Sequence, residues 1–287
     1  MLKQRVITAI VLLAVLLGTL LAPGPWPLVL LFTLAAGCAL WEWLRLTWPR
    51  RNSAIPCMIA IAVAVGLVIL ASLWLRAAQR GQEMPFQGQV NTWLLPLAAA
   101  LWVLGASYLV YRGQSESRKN GLALSVFGVL AVVAVWAALV QLFLAHGAGF
   151  LVSLLALIWI ADIAAYFTGK ALGRHKLAPK VSPGKTWEGA VGGVLAATAW
   201  VMATSLWWPG SFGAVLAQRW PMWGVLAIAV FLAALSIVGD LFESLLKRRA
   251  GVKDSSQLLP GHGGVYDRID ALLPVAPIAL LLTGAGL

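Results

Sequence analysis

The chain has 287 residues, 61% of them apolar, and its mean hydropathy is +0.88. Because a water-soluble domain does not need so large an apolar share, this composition excludes that class and indicates a membrane protein. The net charge of +11 comes from basic residues in short loops between apolar segments, which favours anionic lipid headgroups or nucleotides as partners over nucleic acid.

Nine apolar segments are long enough to cross a bilayer, which takes roughly 20 residues. The connections are short and no internal repeat is visible, so we expect one integrated all-α membrane domain of about nine transmembrane helices. Residues 1–150 hold the first five helices, and residues 151–287 hold the last four with their charged loops. The predicted helices are Val6–Ala22, Trp26–Leu44, Ala54–Leu75, Thr92–Val110, Gly121–Ala145, Gly149–Gly169, Gly189–Trp208, Met222–Leu246 and Ala271–Gly286.

The first segment follows Lys3 and Arg5, as the apolar part of a signal peptide does. Pro23-Gly24-Pro25 follows it instead of a small-x-small cleavage site, so we expect the first helix to be retained. Cys38 and Cys57 lie in or beside apolar segments without metal-ligand spacing. We interpret them as packing residues that form no disulfide framework.

The distribution of basic residues predicts the orientation in the membrane. With a cytosolic N-terminus, 18 of the 21 Lys and Arg residues fall on the cytosolic side, and three fall on the other side: Arg76, Arg80 and Arg219. The positive-inside rule therefore favours nine spans in a cell (inner) membrane, with the N-terminus in the cytosol and the C-terminus on the opposite side.

Acidic residues concentrate in the C-terminal half, where seven of the ten lie between Asp162 and Asp270. Asp162, Asp240 and Glu243 fall inside predicted helices, where a carboxylate costs about 2.5–3.5 kcal/mol on insertion scales. The alternative role for each acid is a structural pairing with a nearby Lys or Arg. Asp162 and Asp240 both lie about 10–12 Å below the cytosolic end of their helices, so we favour a shared functional site.

The helix that carries Asp240 has a polar stripe on an otherwise apolar surface. Its members follow helical spacing: Ser236, Asp240, Glu243, Ser244 and Lys247. A stripe of this kind cannot face lipid, so we expect it to line a cavity or an interhelical contact that opens toward the cytosol.

The loop from Lys170 to Glu188 reaches the same side and has six basic positions, counting His175. Within it, residues 182–186 (SPGKT) predict a turn followed by a helix that Thr186 or Ser182 would cap. A helix N-terminus beside a lysine favours an anion. The loop by itself also fits a cytosolic membrane anchor.

The segment 244–270, SLLKRRAGVKDSSQLLPGHGGVYDRID, combines Lys-Arg and Lys-Asp pairs, a His-Gly-Gly sequence and two further acids. It resembles the signature of the phosphatidate cytidylyltransferases, also called CDP-diacylglycerol synthases. Residues 181–189 (VSPGKTWEG) and 161–167 (ADIAAYF) resemble two other motifs of that family. The resemblance spans roughly residues 155–275. Family members often carry Thr where this chain has Ile163, so a role for that hydroxyl is not supported here.

The resemblance implies transfer of the CMP moiety of CTP to phosphatidic acid, with Mg²⁺ as cofactor and a second cation such as K⁺ left open. It implies Asp240 and Asp267 as the metal ligands. The residues implied in catalysis are Asp240, Asp267, Lys247, Arg248, Lys253 and Arg268. Those implied in substrate binding are Ser182, Lys185, Ser244, Asp254, His262, Gly263, Gly264, Asp162 and Glu243.

CTP, phosphatidic acid and membrane lipids are the expected partners, and a homodimer is left open. Two other classes of protein compete with this interpretation. A CTP-dependent lipid kinase or another CDP-lipid transferase would also use Asp, Lys and Mg²⁺ at the cytosolic face. A transporter would also carry intramembrane carboxylates, but the sequence has no matched pair of broken helices, and its charges cluster at one face.

Overall fold

A computed structural model describes residues 2–48, 54–113, 115 and 121–284. Five residues used in the sequence predictions lie outside the described residues: the four basic residues Arg50, Arg51, Arg118 and Lys119, and Gly286 at the predicted end of the last helix.

Helices make up most of the described chain, which also contains one β-hairpin. The helices are α1 (Leu2–Leu21), α2 (Trp26–Thr47), α3 (Ile55–Gln79), α4 (Gln87–Arg112), α5 (Gly121–Leu172), α6 (Trp187–Trp207), α7 (Phe212–Arg219), α8 (Met222–Ala250), α9 (Tyr266–Ile269) and α10 (Leu272–Thr283). The strands are β1 (Lys176–Ala178) and β2 (Ser182–Thr186), which pair antiparallel.

Six described helices, α2 to α6 and α8, are long and apolar enough to cross a membrane, and α1 and α10 contain shorter apolar helices. The predicted all-α membrane architecture is therefore confirmed, while the count of nine spans stays a prediction. Helix α5 has 52 residues, about 78 Å if it were straight, which far exceeds a bilayer core of about 30 Å. Its two arms meet at Gly147, where φ is 78° and ψ is −171°. The two arms correspond to the fifth and sixth predicted helices.

The turn predicted over residues 182–186 was wrong, because this segment forms strand β2. Its partner is β1, and Lys176 pairs with Thr186 while Ala178 pairs with Ser182. Pairing with β1 satisfies backbone N–H and C=O groups of this segment. The Pro-Gly sequence by itself had favoured a turn. The predicted cap is confirmed, since Oγ1 of Thr186 accepts a hydrogen bond from Gly189 N at 3.2 Å.

An aromatic cluster holds five helices together next to the charged segment 244–270. Trp43 of α2 lies at its centre and packs against Trp102 of α4, Phe127 of α5, Phe242 of α8 and Tyr266 of α9, with ring centroids 5.1–6.1 Å apart. All five side chains are buried. The cluster therefore fixes α8 and α9, which carry the acidic residues, against the N-terminal half of the chain.

Contacts between distant segments show which ends of the helices lie together. Thr8 near the start of α1 donates to the carbonyl of Pro260 at 2.8 Å, beyond the C-terminal end of α8. Trp220, just before α8 begins, donates to the carbonyl of Leu282 at 3.0 Å, near the end of α10. The start of α1 and the loop after α8 therefore share one end of the helices, and the end of α10 lies at the other.

Candidate active site

Helix α8 and the start of α10 approach each other closely at a glycine. A Cβ on Gly239 would lie 2.6 Å from the carbonyl oxygen of Asp270 and 3.0 Å from Cα of Ala271, so only glycine leaves room for this approach. The next residue on α8 is Asp240. The close packing therefore brings a carboxylate from the segment before α10 beside the polar stripe of α8.

Asp240, Glu243 and Asp270 form a carboxylate cluster, with one oxygen of each lying within 4.8 Å of the others. Glu243 is fully buried, and its Oε1 has no hydrogen-bond partner among the described residues. Three carboxylates so close repel one another unless cations or protons compensate them. Carboxylate oxygens are the ligands that Mg²⁺ prefers, so the cluster fits a divalent cation. The sequence prediction had included Glu243 only for substrate binding and had omitted Asp270.

Asp267, the second predicted metal ligand, lies outside this cluster. Its Oδ1 accepts from Lys247 Nζ at 2.7 Å. Its Oδ2 accepts from Ser255 N at 3.0 Å and Gly264 N at 2.7 Å, and it lies 2.9 Å from Ser255 Oγ. Burial opposes ionisation of Asp267, but hydrogen bonds from Lys247 and Gly264 help to outweigh it and hold its pKa below the ordinary value. Both oxygens of Asp267 are thus engaged, and its role as a metal ligand stays a prediction.

Two lysines compensate the carboxylates. Lys247 lies 2.7 Å from Glu243 Oε2 as well as 2.7 Å from Asp267, and it thus bridges the two acids. Lys185 of β2 forms an ion pair with Asp240. The structure therefore brings the loop 173–186 to the polar stripe of α8, as the sequence predicted, and pairs two members of the cluster with an ammonium group each.

A cavity of about 480 Å³ opens beside Asp240, between α5, α6, α8 and the hairpin. This volume lies within the usual range for small-molecule sites. Four of the predicted site residues line it: Asp162, Ser182, Lys185 and Asp240. Tyr166 and Lys170 of α5 also lie on its wall, so the cavity combines an apolar surface with two cationic groups.

Lys253 and Asp254 do not reach that cavity. They line a second one of about 1180 Å³, between the end of α2 and the segment 250–258, together with Arg45 and Trp41. The guanidinium of Arg45 lies 4.6 Å from the centre of the Trp41 ring, a cation–π contact. Asp254, a predicted substrate-binding residue, therefore lies at a different cavity from Asp162, Ser182 and Lys185.

Two further predicted residues, Arg248 and Arg268, bind loop backbone, and a third, Ser244, lies on α8. Arg248 donates to the carbonyl of Val181 at 3.3 Å, and Arg268 donates to the carbonyl of His262 at 3.1 and 2.7 Å. These guanidinium groups hold the loops in this structure. Ser244 is half-buried on α8, next to Glu243.

The Gly263-Gly264 pair allows close contacts that a side chain would prevent. A Cβ on Gly263, where φ is 82°, would lie 2.7 Å from Asp267 Oδ2. A Cβ on Gly264 would lie 2.0 Å from Ser255 Oγ and 2.5 Å from Glu42 Oε1. Glu42 belongs to α2, and the sequence prediction missed it. Its position inside a predicted apolar helix was the signal that would have identified it.

The chain matches the model of the cytidylyltransferase family over residues 3–285. The phosphatidate cytidylyltransferase of Haemophilus influenzae is 36% identical over 287 residues, which cover 96% of each chain. That of Pseudomonas aeruginosa is 38% identical over 291 residues, 100% of this chain and 98% of the relative. That of Bacillus subtilis is 31% identical over 98% of this chain and 97% of the relative.

Replacing Gly263 by alanine is expected to displace Asp267. Gly263→Ala should lower the rate of CTP consumption in the presence of phosphatidic acid on the order of 10²-fold, as expected for a misplacement of about 1 Å. Gly210→Ala is the matched control, because Gly210 has a similar φ of 78° but nothing within 4 Å of its added Cβ. Both variants carry the backbone strain of about 1–2 kcal/mol. Equal rates for the two variants would show that the contact with Asp267 is unimportant.

Proposed function

Since this chain belongs to the cytidylyltransferase family, we propose that it transfers the CMP moiety of CTP to phosphatidic acid, giving CDP-diacylglycerol and pyrophosphate. The observation that carries the proposal is the carboxylate cluster paired with Lys185 and Lys247, at the end of the helices where the loop after α8 lies. A site of this composition suits the meeting of two phosphate-bearing substrates beside a divalent cation.

In the proposed reaction, an oxygen of the lipid phosphate attacks the α-phosphorus of CTP, and the bond to the β-phosphate breaks. No covalent enzyme intermediate is needed, so the protein contributes charge neutralisation and alignment. Lys247 is held by Glu243 and Asp267, and Lys185 is held by Asp240. Their ammonium groups are therefore fixed beside the cluster, and they can contact phosphate oxygens with little reorganisation.

Asp240, Glu243 and Asp270 are the residues that would hold Mg²⁺. The unpartnered Oε1 of Glu243 and the spacing of the three carboxylates support this assignment. When bound, Mg²⁺ supplies charge neutralisation to the triphosphate and to the leaving pyrophosphate. Ligation by Asp267 and a second cation such as K⁺ stay predictions.

The two cavities suit the two substrates. The smaller one lies between membrane helices α5, α6 and α8, so phosphatidic acid can enter it sideways from the lipid, with Ser182 and Lys185 near its headgroup. The larger one is lined by loop residues including Arg45 and Lys253, so CTP can enter it from water. The segment 255–266 contributes residues 255–258 to the wall of the larger cavity and carries donors that hold Asp267.

We further propose nine spans in the cell (inner) membrane, with a cytosolic N-terminus and an active site that faces the cytosol. The excess of basic residues on one side supports this orientation. The contact between Thr8 and Pro260 supports it as well, because it brings the start of α1 to the loop after α8. A homodimer stays a prediction.

Purified protein in detergent micelles should produce CDP-diacylglycerol and pyrophosphate in equal amounts from CTP and phosphatidic acid with Mg²⁺. Omission of any one of the three should abolish both products, because the two anions require the cation to meet. Labelled CTP followed by thin-layer chromatography measures the lipid product, and a coupled assay measures pyrophosphate. Release of CDP in place of pyrophosphate would identify a lipid kinase and reject the proposal.

Removing the charge of an acid of the site should reduce turnover with little change in side-chain volume. We expect Asp240→Asn, Asp267→Asn and Asp270→Asn each to lower turnover by about a hundredfold or more. Glu83→Gln is the control, since Glu83 is an exposed acid on the loop before α4. If Asp240→Asn retained near-normal turnover at saturating Mg²⁺, the metal assignment would be wrong. A loss confined to Asp267→Asn would return the assignment to that residue.

The proposed orientation places Gln257 in the cytosol and Gln82 outside it. In a chain without Cys38 and Cys57, Gln257→Cys should be protected from an impermeant thiol reagent added to intact cells, and Gln82→Cys should be labelled. Both glutamines are exposed, so access to the reagent depends on the side of the membrane alone. Labelling of Gln257→Cys in intact cells would overturn the cytosolic active site.

A further inference from the structure

Glu42 is a fully buried acid on the apolar helix α2. Its first partner, Ser255, lies 213 residues later in the sequence. Its Oε1 accepts hydrogen bonds from Ser256 Oγ and from Val265 N at 3.0 Å. Its Oε2 lies 3.1 Å from Ser255 Oγ and accepts from Tyr266 N at 2.6 Å. One side chain therefore fastens both ends of the segment 255–266 to the N-terminal half of the chain.

This arrangement requires a carboxylate. Each of its two oxygens receives a backbone N–H, one from Val265 and one from Tyr266. A glutamine of the same shape would place its NH₂ group against one of these N–H groups in either orientation of the amide. A buried donor that faces another donor leaves both without an acceptor, at a cost of about 1–3 kcal/mol for each group.

Glu42 connects to the reacting groups through Ser255. The hydroxyl of Ser255 lies within hydrogen-bond distance of both Glu42 Oε2 and Asp267 Oδ2, and the backbone N–H of Ser255 donates to Asp267. Asp267 in turn accepts from Lys247, which contacts Glu243 of the carboxylate cluster. A continuous chain of polar contacts thus runs from α2 to the proposed metal site.

We propose that Glu42 is a positioning residue for the reaction: it holds the segment 255–266 against α2 and thereby sets where Asp267 and Lys247 lie relative to the carboxylate cluster. This inference rests on the proposed function for its kinetic consequences. It assigns a role to the N-terminal half of the chain, which the sequence resemblance did not reach.

The kinetic test compares two substitutions of Glu42. Glu42→Gln keeps the volume and loses an acceptor, whereas Glu42→Asp keeps both acceptors and shortens the side chain. We expect kcat to fall about ten- to a hundredfold in Glu42→Gln, as for a misplaced reacting group, with little change in KM for phosphatidic acid. Glu42→Asp should retain more activity than Glu42→Gln. A side chain that only fills space would give the opposite order.

A double-mutant cycle tests the path to Asp267. Ser255→Ala removes the hydroxyl that lies between Glu42 and Asp267, so its effect and that of Glu42→Gln should not add. The control is Ser125→Ala on α5. It removes a buried hydrogen bond of 2.8 Å to Thr47, which lies on α2 as Glu42 does. Its effect should be small and should add to that of Glu42→Gln. Additive losses for Glu42→Gln and Ser255→Ala would overturn the proposal.

Hydrogen exchange on the resting protein separates this inference from the proposed function, since it needs no turnover. In Glu42→Gln, peptides that cover residues 255–266 should exchange faster than in the unsubstituted protein, while peptides from α6 should not change. Unchanged exchange together with unchanged kcat would reject the role of Glu42. If Glu42→Gln exchanges faster but the unsubstituted protein makes no CDP-diacylglycerol, only the proposed function is rejected. If Glu42→Gln does not fold, Glu42→Asp and Ser255→Ala provide the same two measurements.

Discussion

Carboxylates taken out of water must be compensated, and the site depends on how each of its acids meets that requirement. Asp240 is paired with Lys185, and Glu243 shares Lys247 with Asp267. Among the described residues Glu42 has no cationic partner. It accepts from two backbone N–H groups and from the Ser256 hydroxyl, and it lies 3.1 Å from Ser255 Oγ. Because the acids and their partners come from four segments of the chain (α2, β2, α8 and residues 255–267), satisfying these charges also determines how those segments are placed.

The aromatic cluster makes this compensation possible. Trp43 follows Glu42 on α2 and packs against Phe242 and Tyr266, each of which is next in sequence to an acid of the site, Glu243 or Asp267. The aromatic packing and the polar contacts of the acids thus act on the same three segments, α2, α8 and α9. A close-packed interior transmits small displacements, so changes in the N-terminal helices should reach the reacting groups.

The chemistry of the site is shared by several enzymes that handle CTP and lipids. Carboxylates, lysines and loops that approach phosphate serve kinases and nucleotidyltransferases alike, because both stabilise phosphate charge. What separates them is the family match, which extends over residues 3–285 and includes the N-terminal helices. The contacts of Glu42 with Val265 and Tyr266 give a physical reason for that extent, since the C-terminal signature segment is held by α2.

The sequence by itself determined the features that depend on neighbouring residues. Hydropathy predicted the membrane helices to within a few residues, helical spacing predicted the polar stripe of α8, and the cap at Thr186 followed from its side chain. The signature segment also identified Lys247 and Asp267 as members of the site. These features are local, because helix formation and capping are decided within a few turns of the chain.

Only the tertiary structure decided which acids meet. Asp270 joins Asp240 because Gly239 allows the backbone before α10 to pack directly on α8, while Asp267 turns toward Lys247 and Ser255. The strand at residues 182–186 also depends on a partner, since its backbone groups are satisfied by β1. Distances between helices are set by packing across the whole bundle, and a linear pattern of residue types does not contain them.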